Sequence, residues 1–281
     1  MQPLVSVVVP VFNGLQHLRP LVDSLLAQTY TNLDIVFSEG GGTDASLDFL
    51  EALTDPRIRI IKQPLGTTAA GNWTAASQAA QGEFTKLICQ DDVLYPWAIE
   101  RQVAALLSRP RAVMATASRD IIDAHGRTIF RNRGLSGIKG AVVDGPRAIR
   151  ECYLHGTNVI GEPLAVLFRT EALKQSLPWQ DENPLMLDLS MYEKVAPRGE
   201  ICVRREPIGA FRVSSSSWST NLARQQVDQT RQWQLAYATR HAQDLSAADR
   251  RRAALGRTTQ TSLRRLAYTL LRARGRLTSP E

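Results

Sequence analysis

The chain of 281 residues is poor in the features that most readily place a protein in a class. Its three cysteines, Cys89, Cys152 and Cys202, are odd in number and far apart, which argues against a disulfide framework and against a thiolate metal site. No run approaches the roughly 18 apolar residues that a membrane span needs. Met1-Gln2-Pro3 lacks the basic start of a secretory signal, and Pro10 interrupts the apolar stretch behind it. A cytoplasmic location is therefore expected. No internal repeat is visible, and His17, His125 and His155 have no mutual spacing that suggests a metal site.

Net charge is missing from most of the chain. The net +7 comes from the last stretch: residues 222–281 hold 12 arginines, no lysine and four acids, a net +8, and the preceding 221 residues carry −1. The expected organisation is a body over 1–219, divided into halves 1–108 and 109–219, and a basic helical extension over 220–281. In that extension Leu263, Leu266, Ala267, Leu270 and Leu271 form an apolar stripe, with Arg264, Arg265, Arg272, Arg274 and Arg276 around it. Such a helix can lie on an anionic membrane through residues 260–276, at the inner face of the cell membrane. It can equally dock on its own body or on a second subunit, giving a homo-oligomer. The arginines follow no recognised nucleic-acid motif, so no nucleic acid is expected as partner.

What is present is a regular alternation. Val5-Ser6-Val7-Val8-Val9 is β-branched without strong alternation, as in a strand buried on both faces of a parallel sheet. Leucines at helical spacing follow to about Gln28; then come a strand at 34–38, a turn at Glu39-Gly40-Gly41-Gly42-Thr43-Asp44, a helix, a strand at 58–61 and an Ala-rich helix over 67–80. Strands alternating with helices imply βαβ units and a mainly parallel α/β sheet. Beyond Ser108 the pattern predicts a hairpin around Asp123-Ala124-His125-Gly126, a mobile loop over 133–145, a helix over 146–155, a strand at 164–168 and a helix over 186–195 carrying Asp188. Two short strands follow, at 201–203 and 208–213.

One stretch concentrates the chemistry. The apolar run Phe84 to Ile88 stops at Asp91-Asp92, and Pro96 opens a helix to about Ser108. Strand, acidic turn and helix put charge at the carboxyl edge of an open sheet, where ligands bind. Adjacent carboxylates repel, and a hard cation such as Mg²⁺ or Mn²⁺, completed by phosphate oxygens and water, relieves that repulsion. A solvated loop with an Asp as helix cap is the plainer reading. The glycine turn allows close approach of a ligand and could favour a phosphate at the helix start. It is neither a G-x-G-x-x-G fingerprint nor a phosphate loop ending in Gly-Lys-Ser/Thr.

Taken in succession, Val5 to Asn13, Ser38 to Asp44, Asn72-Trp73, Gly82-Glu83-Phe84, Gln90-Asp91-Asp92, Asp188-Leu189 to Gly199, and Glu206 to Val213 resemble the family 2 glycosyltransferases of the GT-A fold, across about residues 4–219. The resemblance implies a GT-A, Rossmann-like sheet flanked by helices. It also implies a nucleoside-diphosphate sugar as donor, a UDP-sugar first, with Mn²⁺ or Mg²⁺ and inversion at the anomeric carbon. It places Pro10, Phe12, Asn13 and Asn72 with the donor. Glu39 falls where the family usually has an Asp that contacts the base, and reaches one methylene further. Asp91 and Asp92 match the metal-holding region, with Cys89 where many members have a first Asp. Asp188 matches the general base. Arg212 pairs with diphosphate or stays structural, and Ser214 stands where a His often follows it.

One displacement with one base inverts configuration, and the sequence offers no convincing second nucleophilic carboxylate. Trp73, Trp179 and Trp218 could stack on sugar or base, although core packing is the commoner use of Trp. The acceptor expected is a hydroxyl of a glycan or of a lipid-linked molecule. Two other readings compete. A nucleotidyltransferase would usually need basic residues in the first loop, and Pro10 to Gly14 has none. A non-catalytic protein that binds nucleotide sugar or nucleic acid is the other.

Overall fold

The computed structural model describes residues 2–180, 182–215 and 225–277. In chain order the strands are β1 (Val5–Val11), β2 (Leu33–Glu39), β3 (Ile58–Lys62), β4 (Phe84–Leu87), β5 (Val93–Leu94), β6 (Ala112–Ile122), β7 (Thr128–Arg133), β8 (Val142–Asp144), β9 (Val166–Arg169) and β10 (Glu200–Arg212). The helices are α1 (Leu15–Leu26), α2 (Ser46–Glu51), α3 (Ala69–Gln78), α4 (Ala98–Leu107), α5 (Gly145–His155), α6 (Thr170–Lys174), α7 (Leu187–Val195), α8 (Gln226–Arg240) and α9 (Ala247–Ala273). All ten strands join one sheet in the order β3-β2-β1-β4-β9-β6-β10-β5, with β7 beside β6 and β8 beside β10.

The first half follows the expected pattern. Strands β3, β2, β1 and β4 are parallel, and every residue of β1 and β2 is buried. Val7 and Val9 of β1 join the core formed with α1 and α4, and Val8 joins the opposite core with Trp73. A strand covered on both faces needs apolar residues at successive positions, which is why the sequence shows no alternation there.

The second half is mixed. β9 runs antiparallel to both β4 and β6, and β10 runs parallel to β6. Two expectations need correction. The strands foreseen at 201–203 and 208–213 are one strand, β10, whose register with β6 shifts around Pro207. Pro207 supplies no ladder N–H, so the sequence reads as a break where the chain only bulges. The stretch 133–145 is no loose loop either: Leu135 and Ile138 are buried in the core and β8 pairs with β10. Its glycines, at positive φ in Gly134, Gly137 and Gly140, disguised two anchored apolar side chains.

The basic extension packs on the body. Ala253 enters the main core, and Arg150 of α5 pairs with Asp249 at 2.6 Å. Further along α9, Leu271 and, beyond it, Leu277 close on Val213, Phe211 and Ile121. The stripe read from sequence therefore divides: Leu271 faces the body, while Leu263, Leu266 and Leu270 are about half exposed, and Leu255 before them more so. The expected boundary at 219/220 and Trp218 lie outside the described residues.

A glycine marks the closest approach of α9. A Cβ at Gly256 would lie 2.5 Å from the Leu154 carbonyl oxygen and 2.8 Å from the carbonyl carbon of His155. Helix propensity alone makes Gly→Ala stabilising by about 1 kcal/mol. The contact with backbone reverses that sign: Gly256→Ala is expected to lower the thermal midpoint by about 3 °C or more. A raised midpoint in a thermal melt would show that α9 does not sit against α5.

Candidate active site

The carboxyl ends of β1, β2 and β4 meet where the sequence put its motifs. Gln90, just before the acid pair, holds the first loop with both ends of its amide. Its Oε1 accepts the Phe12 N–H at 2.8 Å, and its Nε2 donates to the Phe12 carbonyl at 2.9 Å. Pro10 is buried within β1, whereas the Phe12 ring is 53% exposed and stands at the rim. Asn13 has a left-handed φ of 47° and accepts the N–H groups of Thr43 and Asp44 at 2.7 and 3.3 Å.

The glycine turn corrects the phosphate expectation. Gly40 donates to the Val11 carbonyl, and Gly41 and Gly42 donate to the carboxylate of Glu39 at 3.1 and 2.7 Å. Every backbone N–H from 40 to 44 is thus held by protein, and no nest for an anion remains. Glu39 closes that turn and is only 5% exposed. Gly41 has two reasons to be glycine: its φ of 78° is left-handed, and the Leu65 backbone passes 2.9 Å from where a Cβ would be. Asn72, also buried, ties the ends of β1 and β2 together: its Nδ2 donates to the Val11 carbonyl and its Oδ1 accepts from Ser38. Asp44 accepts the N–H of Leu15 and of Ser46 and so ties the starts of α1 and α2 together, although the N-cap position of α2 is Ala45.

The acid pair is asymmetric. Asp91 is half-buried, while Asp92 is 1% exposed. One oxygen of Asp92 accepts the backbone N–H of Arg212 at 3.0 Å; the other, Oδ2, is buried without a hydrogen bond. Burial first, then the Asp91 charge, pushes the Asp92 carboxyl well above the usual range. Arg212 is a strut behind the pair. Its Nε donates to the Asp91 carbonyl at 2.8 Å and its Nη1 to the carbonyls of Asp123 and Ala124 at 3.2 and 3.3 Å. These bonds hold the guanidinium against the turn rather than out in the groove.

Two vicinal acids suit a hard cation, and the orphaned Oδ2 of Asp92 is a buried acceptor that such an ion would satisfy. No cluster of three or more His, Cys, Asp or Glu that could hold a metal occurs among the described residues. The remaining ligands would have to come from diphosphate and water.

Asp188 opens α7 across the sheet. Its Oδ2 accepts from Asn158 Nδ2 at 2.7 Å, and its Oδ1 accepts the Leu189 N–H at 2.6 Å. Burial, followed by the charge of Glu162, raises its carboxyl to about 7. The thiol of Cys89, pushed up by burial, feels Asp92, Asp91, Asp188 and Glu162 together. The Asp92 N–H also donates to the Cys89 carbonyl at 3.2 Å, which closes the turn that carries the acid pair. The sequence reading missed Asn158, Glu162 and Arg119. The signal was there in Asn158 followed by Gly161-Glu162-Pro163, a polar turn inside an otherwise apolar run.

Other expectations resolve as packing. Trp73 and Trp179 meet edge to face at 5.1 Å, and Trp179 donates to Ser77. His17 is buried, which lowers it to about 4. A cavity of about 500 Å³ between α7 and α8, lined by Glu182, Asn183, Glu193, Lys194 and Trp233, shares no residue with this site.

Comparison with known proteins gives the family and the fold. A family described as glycosyl transferase family 2 matches residues 6–176. An uncharacterised glycosyltransferase of Rickettsia typhi is 30% identical over 129 residues, 46% of this chain and 40% of that protein. A chondroitin synthase of Pasteurella multocida is 32% identical over 122 residues, 42% of this chain and 12% of that protein. The chain thus spans less than half the length of these relatives. Among solved structures, S. aureus TarS 1–349 in complex with UDP superposes with a TM-score of 0.59 at 18% identity, covering 80% of this chain and 64% of that one. A mannosyltransferase of Pyrobaculum calidifontis in complex with GDP-Man and Mn²⁺ gives 0.58 at 16% identity, covering 85% and 65%. With its mixed sheet on the fold of these neighbours and more than half its length matched, the chain belongs to the family 2 glycosyltransferases.

Proposed function

We propose that the protein transfers a sugar from a nucleoside-diphosphate sugar, a UDP-sugar first, to a hydroxyl of a glycan or lipid-linked acceptor, with inversion. The observation that supports this reading is the acid pair at the end of β4, half-exposed Asp91 beside buried Asp92 with its Oδ2 unpartnered, together with a third carboxyl, Asp188, buried and oriented by Asn158. The donor nucleotide lies along the rim formed by Phe12, Asn13 and the Glu39 turn. Pro10 and Asn72 act beneath it, by fixing the ends of the strands. Asp91, backed by Asp92, would hold Mn²⁺ or Mg²⁺, and such an ion would supply positive charge to offset that of the leaving diphosphate. Arg212 keeps both acids in place.

Asp188 takes the proton of the attacking hydroxyl. A carboxylate usually ionises near 4 and is then a weak base; one raised to about 7 is better matched to a proton transfer near neutral pH. Asn158 fixes its orientation. A single displacement with a single base inverts configuration.

The extension supports a peripheral contact. The exposed Leu263, Leu266 and Leu270 lie on α9 among Arg264, Arg265 and Arg272, a pairing suited to an anionic leaflet. No described helix is long and apolar enough to cross a membrane. We take residues 1–219 as the transfer unit and 220–281 as the part that holds it near a lipid-linked acceptor.

Three outcomes test this reading. Nucleoside diphosphate release from a panel of nucleotide sugars should stop with EDTA and return with Mn²⁺ or Mg²⁺. Asp91→Asn should lower it on the order of a hundredfold. Metal-independent release would remove the cation from the account. Asp188 works deprotonated, so kcat/KM should fall as pH drops below about 7 and level off above it. Asp188→Asn should bind donor normally and fail to transfer, and transfer at the wild-type rate would dismiss Asp188 as base. Finally, Leu263→Gln with Leu266→Gln should reduce co-sedimentation with phosphatidylglycerol vesicles. A wild-type chain that stays in the supernatant would end the membrane proposal.

A further inference from the structure

The segment that orients Asp188 carries a second acid. Asn158 folds its own turn: its Oδ1 accepts the N–H of Ile160 and Gly161 at 3.0 and 3.1 Å, and its Nδ2 donates to the Gly161 carbonyl at 2.8 Å and to Asp188. Gly161 sits at a φ of 119°, which L-residues rarely adopt. Glu162 comes next and is gripped from the other side by Arg119 of β6. Arg119 Nη2 donates to Glu162 Oε1 at 2.6 Å, and its Nε lies against Oε2. Arg119 is itself fixed, 7% exposed, with Nη1 on the Arg133 carbonyl at 3.0 Å.

Glu162 is thus held by Arg119 through one hydrogen bond at Oε1 and a charge contact of Nε with Oε2, yet its side chain remains 28% exposed. A carboxylate has about four lone-pair directions, and Arg119 takes one of them in a hydrogen bond. Acceptor capacity is left over on a group that cannot move. Asn158, four residues before it, touches Asp188, and Lys86 of the strand that leads to the acid pair contacts the Leu164 carbonyl two residues after it, so Glu162 sits on a segment tied to both the base and the acid pair's strand; its charge raises the carboxyls of Asp92 and Asp188 alike. In a direct displacement the ring of the moving sugar occupies that interval. Its anomeric carbon is bound to diphosphate at one end and is approached by the hydroxyl at the other. A fixed, charge-compensated carboxylate there is matched to the hydroxyl groups of a sugar.

We propose that Glu162, held by Arg119, accepts hydrogen bonds from hydroxyl groups of the transferred sugar and so selects which sugar the site takes. This rests on the donor reading given above. It distinguishes Glu162 from Asp188, which meets the acceptor, and from Asp91, which meets the diphosphate.

Isothermal titration in Mn²⁺ tests it, with UDP, GDP, UDP-glucose, UDP-galactose, UDP-N-acetylglucosamine and GDP-mannose as probes against wild type and Glu162→Gln. Glutamine keeps the length of the side chain and an oxygen for Arg119, but loses one acceptor and the charge. The expected result is a loss of about tenfold in affinity for the sugar nucleotide that wild type prefers, with the parent nucleoside diphosphate unchanged. The preference between the UDP-glucose and UDP-galactose epimers should also shrink. Should Glu162→Gln fail to fold, Glu162→Asp keeps the charge, withdraws it by one methylene and reads the same comparison. Equal weakening of sugar nucleotide and nucleoside diphosphate would make the ion pair purely structural and overturn the proposal. Unchanged donor affinity overturns it too, and a raised KM for acceptor in that case would assign Glu162 to the acceptor instead. If wild type binds none of the six probes, the donor reading itself fails, and this inference falls with it.

Discussion

Two neighbouring carboxylates at the end of a buried strand repel each other, and much of this chain is arranged to keep them there. Asp92 gives up its solvent and receives only the backbone N–H of Arg212. Arg212 reaches that point because β10 bulges at Pro207 and continues to the sheet edge, where its guanidinium also ties the Asp91 carbonyl to the β6–β7 turn. Gln90 fixes the other side by gripping the backbone of Phe12. Removing the strut while leaving the acids would expose the full cost of an unpaired buried charge. That local instability is what supports the proposal of a cation site at this edge.

The same economy of parts governs the acceptor side. Lys86, wholly buried in β4, donates to Gln102 and contacts the Leu164 carbonyl, so the segment just after Glu162 is tied to the strand that ends at the acid pair. Burial lowers the Lys86 ammonium far below its usual value, a cost borne inside the core to couple the two halves of the site. The 157–165 segment then supplies Asn158 to Asp188 and Glu162 to Arg119. One short stretch thus fixes the positions of Asp188 and Glu162 relative to the strand that ends at the acid pair.

How much of this could be read from sequence depends on the range of the contact involved. The buried parallel strands, the acid pair and Asp188 were legible because strand periodicity and motif order are local signals. The membership of a mainly α/β sheet followed from them. The roles of single side chains were less so. Arg212 reads as a diphosphate ligand until its partners, about 90 to 120 residues away in the chain, are known. The glycine turn reads as a phosphate cradle until Glu39 is seen to occupy its N–H groups. Glu162 was invisible because what singles it out, Arg119 on β6, is distant in sequence and close in space. The α9 stripe misled in a different way. Periodicity places leucines on one side of a helix but does not say which of them meet the body, and a register of one residue separates buried Leu271 from exposed Leu270.

The claim that carries the rest is that the sheet edge at Asp91 and Asp92 holds a divalent ion against a nucleoside diphosphate. Anomalous diffraction from crystals soaked with UDP and Mn²⁺ addresses it most directly. The account predicts a manganese peak at the Asp91 carboxylate, bridging to diphosphate oxygens, with the uracil along the rim by Phe12 and Glu39. Manganese or nucleotide seated in the cavity between α7 and α8, with the acid pair bare, would contradict it.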